Sequence, residues 1–361
     1  MNLAAAFFVA AALAAGPVLY LYLRHALLTV LTLSVPLLGG IFWSLNADGA
    51  VAEFIFAAAA FGTVLFFLVA ERMARAVCAG TAPRKAVADA VKTVVPAGAL
   101  AVAAPLLPAL AIGRVAGLRA LAPASVAVIL ELAWLGAALW MAAVVPYTED
   151  FIAAANRARE ARQGAAAWFA PLAESRWALA VAGIAAMLAT IALLRLRSLP
   201  APHHGRVFGA AAAIVLFAAA LGWMRDWRLA VAAVLSLAVC GLWLAGFAGE
   251  FRWPVLALAL AAVLVPLAVF GRCWSGEIRA GAEPAESLQP VFVGEAPPVA
   301  MCAALILVLG LGWSRAGSHS LLLPLAGAWI ALGLFAFAAF AIALHALLPR
   351  YRSVEDVFGK R

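Results

Sequence analysis

Glu131, in the run Val128-Ile129-Leu130-Glu131-Leu132-Ala133-Trp134, is the only acidic residue set deep in an apolar stretch. An ionisable side chain is costly to keep in hydrocarbon, so by default such a residue binds an ion, handles a proton or pairs with a partner helix. The structural alternative is a protonated carboxyl hydrogen-bonded to a nearby carbonyl or to Ser125. His345, near the end of the last apolar run, could act as a protonatable switch, or could simply hydrogen-bond a backbone carbonyl. His203-His204 have no third ligand nearby, which leaves a metal site unsupported. Cys78, Cys240, Cys273 and Cys302 show neither metal-ligand spacing nor a disulfide framework. The chain carries no Walker lysine loop, no Ser/His/Asp grouping and no His-x-x-x-x-Asp box. The expectation is therefore no enzyme, no metal and no cofactor.

Composition determines which elements must hold these residues. Of 361 residues, 67% are hydrophobic and 12% charged, and the mean hydropathy is +1.06. A soluble chain could not cover that much apolar surface, so this one belongs in a bilayer. The net charge of +8 does not mark a nucleic-acid partner, because the basic residues sit in short gaps between apolar runs, where they set orientation. The N-terminus is apolar from Leu3 and lacks the basic start of a signal peptide, so it reads as a first span. About eleven runs qualify as spans of about 20 residues each. They lie near 3–21, 26–45, 52–70, 94–113, 120–145, 177–194, 207–223, 229–248, 254–271, 298–314 and 320–348. With the N-terminus outside, the inner gaps hold Arg24, Arg72, Arg75, Arg84, Arg157, Arg159 and Arg162 and the cluster Arg350 to Arg361, outnumbering the outer arginines. That bias makes the C-terminus cytoplasmic.

A repeat organises the runs. Ala79-Gly80-Thr81-Ala82-Pro83, with Pro96 thirteen residues beyond Pro83, returns as Ala280-Gly281-Ala282-Glu283-Pro284 with Pro297. Matching residues stand 201 apart, and the same offset carries Arg24 onto Arg225. The expected fold is an all-α polytopic membrane bundle in two pseudo-symmetric halves. Residues 1–147 form the first membrane repeat of five spans, and 175–350 the second of six. Between them, 148–174 reads either as a basic amphipathic helix on the inner membrane surface or as a solvated linker helix. The acidic-aromatic tail 351–361 reads as a cytoplasmic helix that caps the bundle. Trp43, Trp223, Trp227, Trp253, Trp274 and Trp313 lie near span ends, as an aromatic belt would. Pro36, Pro266 and Pro324 fall within spans and are expected kinks.

Three stretches carry a family resemblance. They are Tyr20-Leu21-Tyr22-Leu23-Arg24-His25, Ala70-Glu71-Arg72, and the Gly80-x-x-Pro83-Arg84 stretch leading to Pro96. Together with the duplication, they resemble the membrane half of the resistance–nodulation–division (RND) superfamily, nearest its MMPL-type lipid exporters. The resemblance implies a bacterial inner-membrane transport protein, and the departures from it are equally informative. Only Arg195–Arg206 joins the sixth and seventh runs, too short for the family's extracytoplasmic domain, and the first copy lacks the leading span. Where proton-driven members place a carboxylate, this chain has Val64 and, 201 residues on, Val265. The Thr-Thr pair of the following span is replaced by the apolar stretch 99–103.

These features imply a reduced RND/MMPL-like protein that handles a lipid-like or hydrophobic molecule in a groove between its halves. Membrane lipids and other membrane or periplasmic subunits are the expected partners. The alternative is a non-transporting scaffold of an envelope complex. A transporter should show a continuous cavity between the halves reaching polar groups such as Glu131, and a scaffold should be packed shut.

Overall fold

The computed structural model describes residues 3–45, 49–111, 122–168, 203–236, 253–314, 333–334 and 337–345. Every regular element among the described residues is helical. The helices are α1 (Leu3–Leu23), α2 (Ala26–Leu45), α3 (Gly49–Cys78), α4 (Pro83–Ala111), α5 (Ala122–Val144), α6 (Glu149–Ala167) and α7 (His203–Met224). They continue with α8 (Trp227–Ser236), α9 (Trp253–Arg279) and α10 (Pro284–Ser314), and residues 337–345 are helical too. The expected span at 177–194 and the tail 351–361 lie outside the described residues, as do Pro324 and Cys240. Pro36 and Pro266 lie inside α2 and α9.

The basic gap after the third run is not a loop. Helix α3 carries on past the apolar run for 30 residues in all, about 45 Å at 1.5 Å per residue. It passes through Glu71, Arg72 and Arg75 before it stops. What stops it is Gly80, whose φ of +87° suits glycine. The Thr81 N–H donates to the Ala76 carbonyl and the Gly80 N–H to the Val77 carbonyl, both at 2.9 Å. This is the double bond of a Schellman stop, and Pro83 then opens α4, where its missing N–H costs nothing.

The same construction recurs 201 residues later. Gly281 has φ +103°. The Ala282 and Gly281 N–H groups donate to the Glu277 and Ile278 carbonyls at 3.2 Å, and Pro284 opens α10. Arg24 and Arg225, which end α1 and α7, both sit at φ 55°. A left-handed arginine costs about 1 kcal/mol, and the chain accepts that cost twice at matching positions. In each case the arginine N–H reaches back four residues, Arg24 to Tyr20 at 2.7 Å and Arg225 to Leu221 at 2.8 Å.

One hydrophobic core runs through both halves. Helix α4 packs on α7 and α9, α3 on α9, and α1 on α10. At Gly312 the α1 and α10 backbones approach so closely that a Cβ would meet the Phe7 carbonyl oxygen at 3.2 Å and the Phe8 Cα at 3.3 Å. Outward positions such as Leu13, Val18, Val30, Ile41, Trp140 and Ile214 are more than half exposed. An apolar exterior of that extent needs a lipid solvent. Among the described residues Ala6–Leu23 and Glu286–Gly312, each with mean hydropathy 2.0, are long and apolar enough to cross a membrane.

Candidate functional site

The continuation of α3 places two arginines against α10. Arg72 Nη2 donates to Glu295 Oε2 at 2.6 Å, and Arg75 Nη1 to Glu295 Oε1 at 2.8 Å. Arg75 also holds Glu71 Oε1, from Nη2 at 2.6 Å and from Nε at 3.0 Å. Both carboxylate side chains are 9% exposed. Two guanidinium groups balance two carboxylates, the condition under which charges tolerate burial. The balance is incomplete at one atom, since Glu71 Oε2 is buried with no hydrogen-bond partner. Arg72 Nη2 further donates to Cys273 Sγ at 3.1 Å, a residue 201 positions away. Contact between equivalent positions puts the axis relating the halves between these two side chains.

This cluster was missed at the sequence level, where Arg72 and Arg75 read as orienting charges in a loop and Glu295 fell just outside its span. The available signal was the i, i+4 pair Glu71–Arg75, which makes sense only on a continuing helix.

Helix α6 closes over the cluster. Thr148 caps it, its side chain accepting from the Phe151 N–H at 3.3 Å. Phe151 is buried edge-on to His25 at 4.9 Å between ring centres, with Tyr147 tilted against both rings. Burial pushes the His25 imidazole below its ordinary pKa. One face of α6 thus packs on α1, α3 and α10, which makes it a fixed part of the bundle and not a free linker. It also carries Arg162 to the end of α1. There the guanidinium lies 3.8 Å over the Tyr22 ring and Nη1 donates to the Tyr22 carbonyl.

Two cavities share Tyr22 and Arg162 as lining residues. A polar cleft of about 30 Å³ is bounded by Glu71, Arg75, Cys78, Asn156 and Arg159 together with the shared pair. A groove of about 490 Å³ runs on along α10, lined by Phe292, Pro297, Ala300, Met301 and Leu334 and by Ala165 of α6. Its walls are almost wholly apolar, and its charged group is Arg162. The combination is amphipathic, with a long greasy trough ending at a small charged pocket.

At the equivalent junction in the other half, where α7 meets α4, the described residues enclose a void of about 30 Å³. Trp223, the counterpart of Tyr22, donates from Nε1 to the Ala268 carbonyl at 3.2 Å. Arg272 lies 5.3 Å from the Trp223 ring and donates to its carbonyl at 2.7 Å.

The residues singled out from sequence fall in scattered places. Glu131 lies on α5, its side chain outside the described residues. One turn away, Trp134 Nε1 donates to Ser34 Oγ at 2.6 Å. His345 Nδ1 lies 2.7 Å from the Ala341 carbonyl and Nε2 lies 3.3 Å from Asp226 Oδ2. Asp226 caps α8, its Oδ1 accepting from the Arg228 N–H at 2.9 Å. Burial opposes ionisation there, but the bonds from His345 and from the Arg228 and Leu229 N–H groups hold the Asp226 carboxyl below its ordinary pKa. Val64 and Val265 are fully buried in the shared core. Pro96 lies within α4, while Pro297 lines the groove. Trp274 departs from the belt reading. It is fully buried with Nε1 donating to Ser287 at 3.1 Å, because α9, like α3, continues past its apolar run and turns that position inward.

No family model matches the chain, and no curated protein does. Among solved structures, the chain is similar to SecDF in its super-membrane-facing form, at 14% identity and a TM-score of 0.48. The match covers 93% of this chain and 62% of that one. A likeness of that degree decides neither family nor mechanism.

Proposed function

We propose that the protein is a reduced RND/MMPL-like transport protein of the bacterial inner membrane that holds a lipid-like or hydrophobic molecule in the α1–α6–α10 groove. The observation that carries this reading is the groove itself, about 490 Å³ of apolar space beginning at Arg162, within the size range of ligand sites. The eleven-span topology, the cytoplasmic C-terminus and the internal duplication of the sequence reading complete the proposal. Val64 and Val265 supply no carboxylate at the family's usual relay positions, so in this reading the protein works with partner subunits or acts passively. No catalytic grouping enters this reading.

Filling the groove tests it. Ala300 is exposed within the trough, so Ala300→Trp should obstruct it without disturbing the core. Purified protein reconstituted in vesicles should bind and transfer a fluorescent lipid, and the variant should lose both while melting at an unchanged temperature. Equal lipid binding by the variant and the native chain would overturn the reading.

The scaffold alternative draws on a different observation. Arg72 and Arg75 tie α3 to Glu295 on α10, and among the described side chains the α4–α7 junction leaves about 30 Å³. A bundle pinned in this way suits a fixed body that partners assemble on. Groove-blocked protein that still restores an envelope complex in cells would favour it.

A further inference from the structure

Resting on the groove as the site of a lipid-like molecule, we infer that the ligand carries a phosphate bearing a primary ammonium, a phosphoethanolamine-type headgroup. Three features converge on that chemistry. Arg162 spends one N–H on the Tyr22 carbonyl, and a guanidinium has five, so donors remain for a phosphate at the mouth of the groove. Arg159 stands in the same cleft and makes no ion pair among the described residues, giving a second guanidinium for the same anion. Finally, Glu71 is 7% exposed and its Oε2 has no partner. A buried acceptor left unmade is expensive, and what fits it is a small donor.

Size and charge narrow the choice. The cleft is small, about 30 Å³, and the group that meets Glu71 must carry an N–H, which –NH₃⁺ supplies three times and a trimethylated nitrogen not at all. The Glu71–Arg75–Glu295–Arg72 cluster is neutral as a set, so Arg159 and Arg162 meet the phosphate while Glu71 Oε2 meets the ammonium. Tyr22 and Arg162 line both cavities, so one molecule can place its ammonium in the cleft, its phosphate at Arg162 and its chains along α10.

The test is native mass spectrometry of the purified full chain with phosphatidylethanolamine, phosphatidylcholine and phosphatidylglycerol of identical acyl chains. Phosphatidylethanolamine should bind about tenfold more tightly than either of the others, the worth of one charge-assisted hydrogen bond. Glu71→Gln keeps an oxygen for Arg75 and should erase that preference while leaving phosphatidylglycerol binding in place. Arg162→Ala should weaken all three. Equal binding of the three lipids by the native chain would overturn the inference while leaving the groove reading intact, with a water then serving Glu71. Failure to bind any of them would remove both. The native chain's selectivity decides the matter even if a variant fails to fold.

Discussion

The two junctions between the halves are built on one backbone plan and end in opposite states. At α1–α10 the chain keeps a groove of about 490 Å³, whereas at α7–α4 it leaves about 30 Å³. Each junction has an aromatic residue, Tyr22 or Trp223, with a guanidinium over its ring and a bond to its carbonyl. The guanidinium differs in origin. Arg272 comes from α9, inside the repeat, and draws Trp223 onto the bundle. Arg162 comes from α6, the helix inserted between the repeats, and α6 stands as one wall of the groove. Phe337 completes the contrast, since it fills the closed junction against Phe270 and Trp274. The backbone is repeated because a few special positions fix it. Function has room to diverge in the side chains, and here the divergence is a cavity.

The ion cluster is the most lopsided feature and should give the largest effect. Glu295 faces two arginines, and its counterpart 201 residues earlier is Val94, fully buried. Glu295→Ala leaves the half-buried Arg72 without a carboxylate and Arg75 with Glu71 alone, and should cost about 3 kcal/mol. Val94→Ala removes two methyl groups from packed core and should cost about 1–2 kcal/mol. Unfolding of both variants in mixed micelles gives the two values side by side. Equal costs would mean the cluster is solvated in the bilayer and does not hold the halves together.

The closed junction should be next in sensitivity. Phe337 is 1% exposed, and its loss leaves a true cavity, so Phe337→Ala should cost about 3–5 kcal/mol. Phe292 lines the groove at 7% exposure, and its truncation merely widens space already open. Phe292→Ala should therefore cost about 1–2 kcal/mol less than Phe337→Ala and should alter lipid binding, which Phe337→Ala should leave alone. Thermal unfolding with and without lipid separates the two.

Sequence made the all-helical character and the repeated turns legible for physical reasons. Gly80-x-x-Pro83 and Gly281-x-x-Pro284 encode a helix stop and start through one left-handed glycine and one proline without an N–H, and those constraints are local. The cluster and groove were not legible because they are tertiary. Arg72, Arg75 and Glu295 look like loop charges until α3 and α10 are seen to extend past their apolar runs and meet. Trp274 misled for the same reason, since a span-end tryptophan on a continuing helix points to protein and not to headgroups. Val64 and Val265 are buried in the core and line neither the groove nor the cleft, and the ion cluster lies a little further along the same helices.

The smallest expected effect is a difference in pH dependence between the turns that follow Arg24 and Arg225. The positions after those arginines are His25 and Asp226, each accepting a backbone N–H at the start of the next helix, Leu28 to His25 at 3.3 Å and Arg228 to Asp226 at 2.9 Å. Both groups have folded pKa values below their ordinary ones, 6.5 for His25 and 3.8 for Asp226. A lowered pKa means the unfolded chain binds more protons, so each contributes stability that is full above the ordinary value and lost as pH falls through the folded one. The first turn therefore weakens on going from neutral pH to below 6.5, as His25 gains a proton and Nδ1 stops accepting. The second holds until the pH falls below 3.8, where Asp226 releases both its cap and His345. Proton exchange at the Leu28 and Arg228 amides, corrected for intrinsic rate, should show protection lost first at Leu28 between about pH 7.5 and 5.5, a window one unit either side of the histidine value. His25→Asn keeps a capping acceptor without the titration and should flatten that loss. Simultaneous loss at both amides would mean the turns open as one unit, governed by the shared core and not by their own caps.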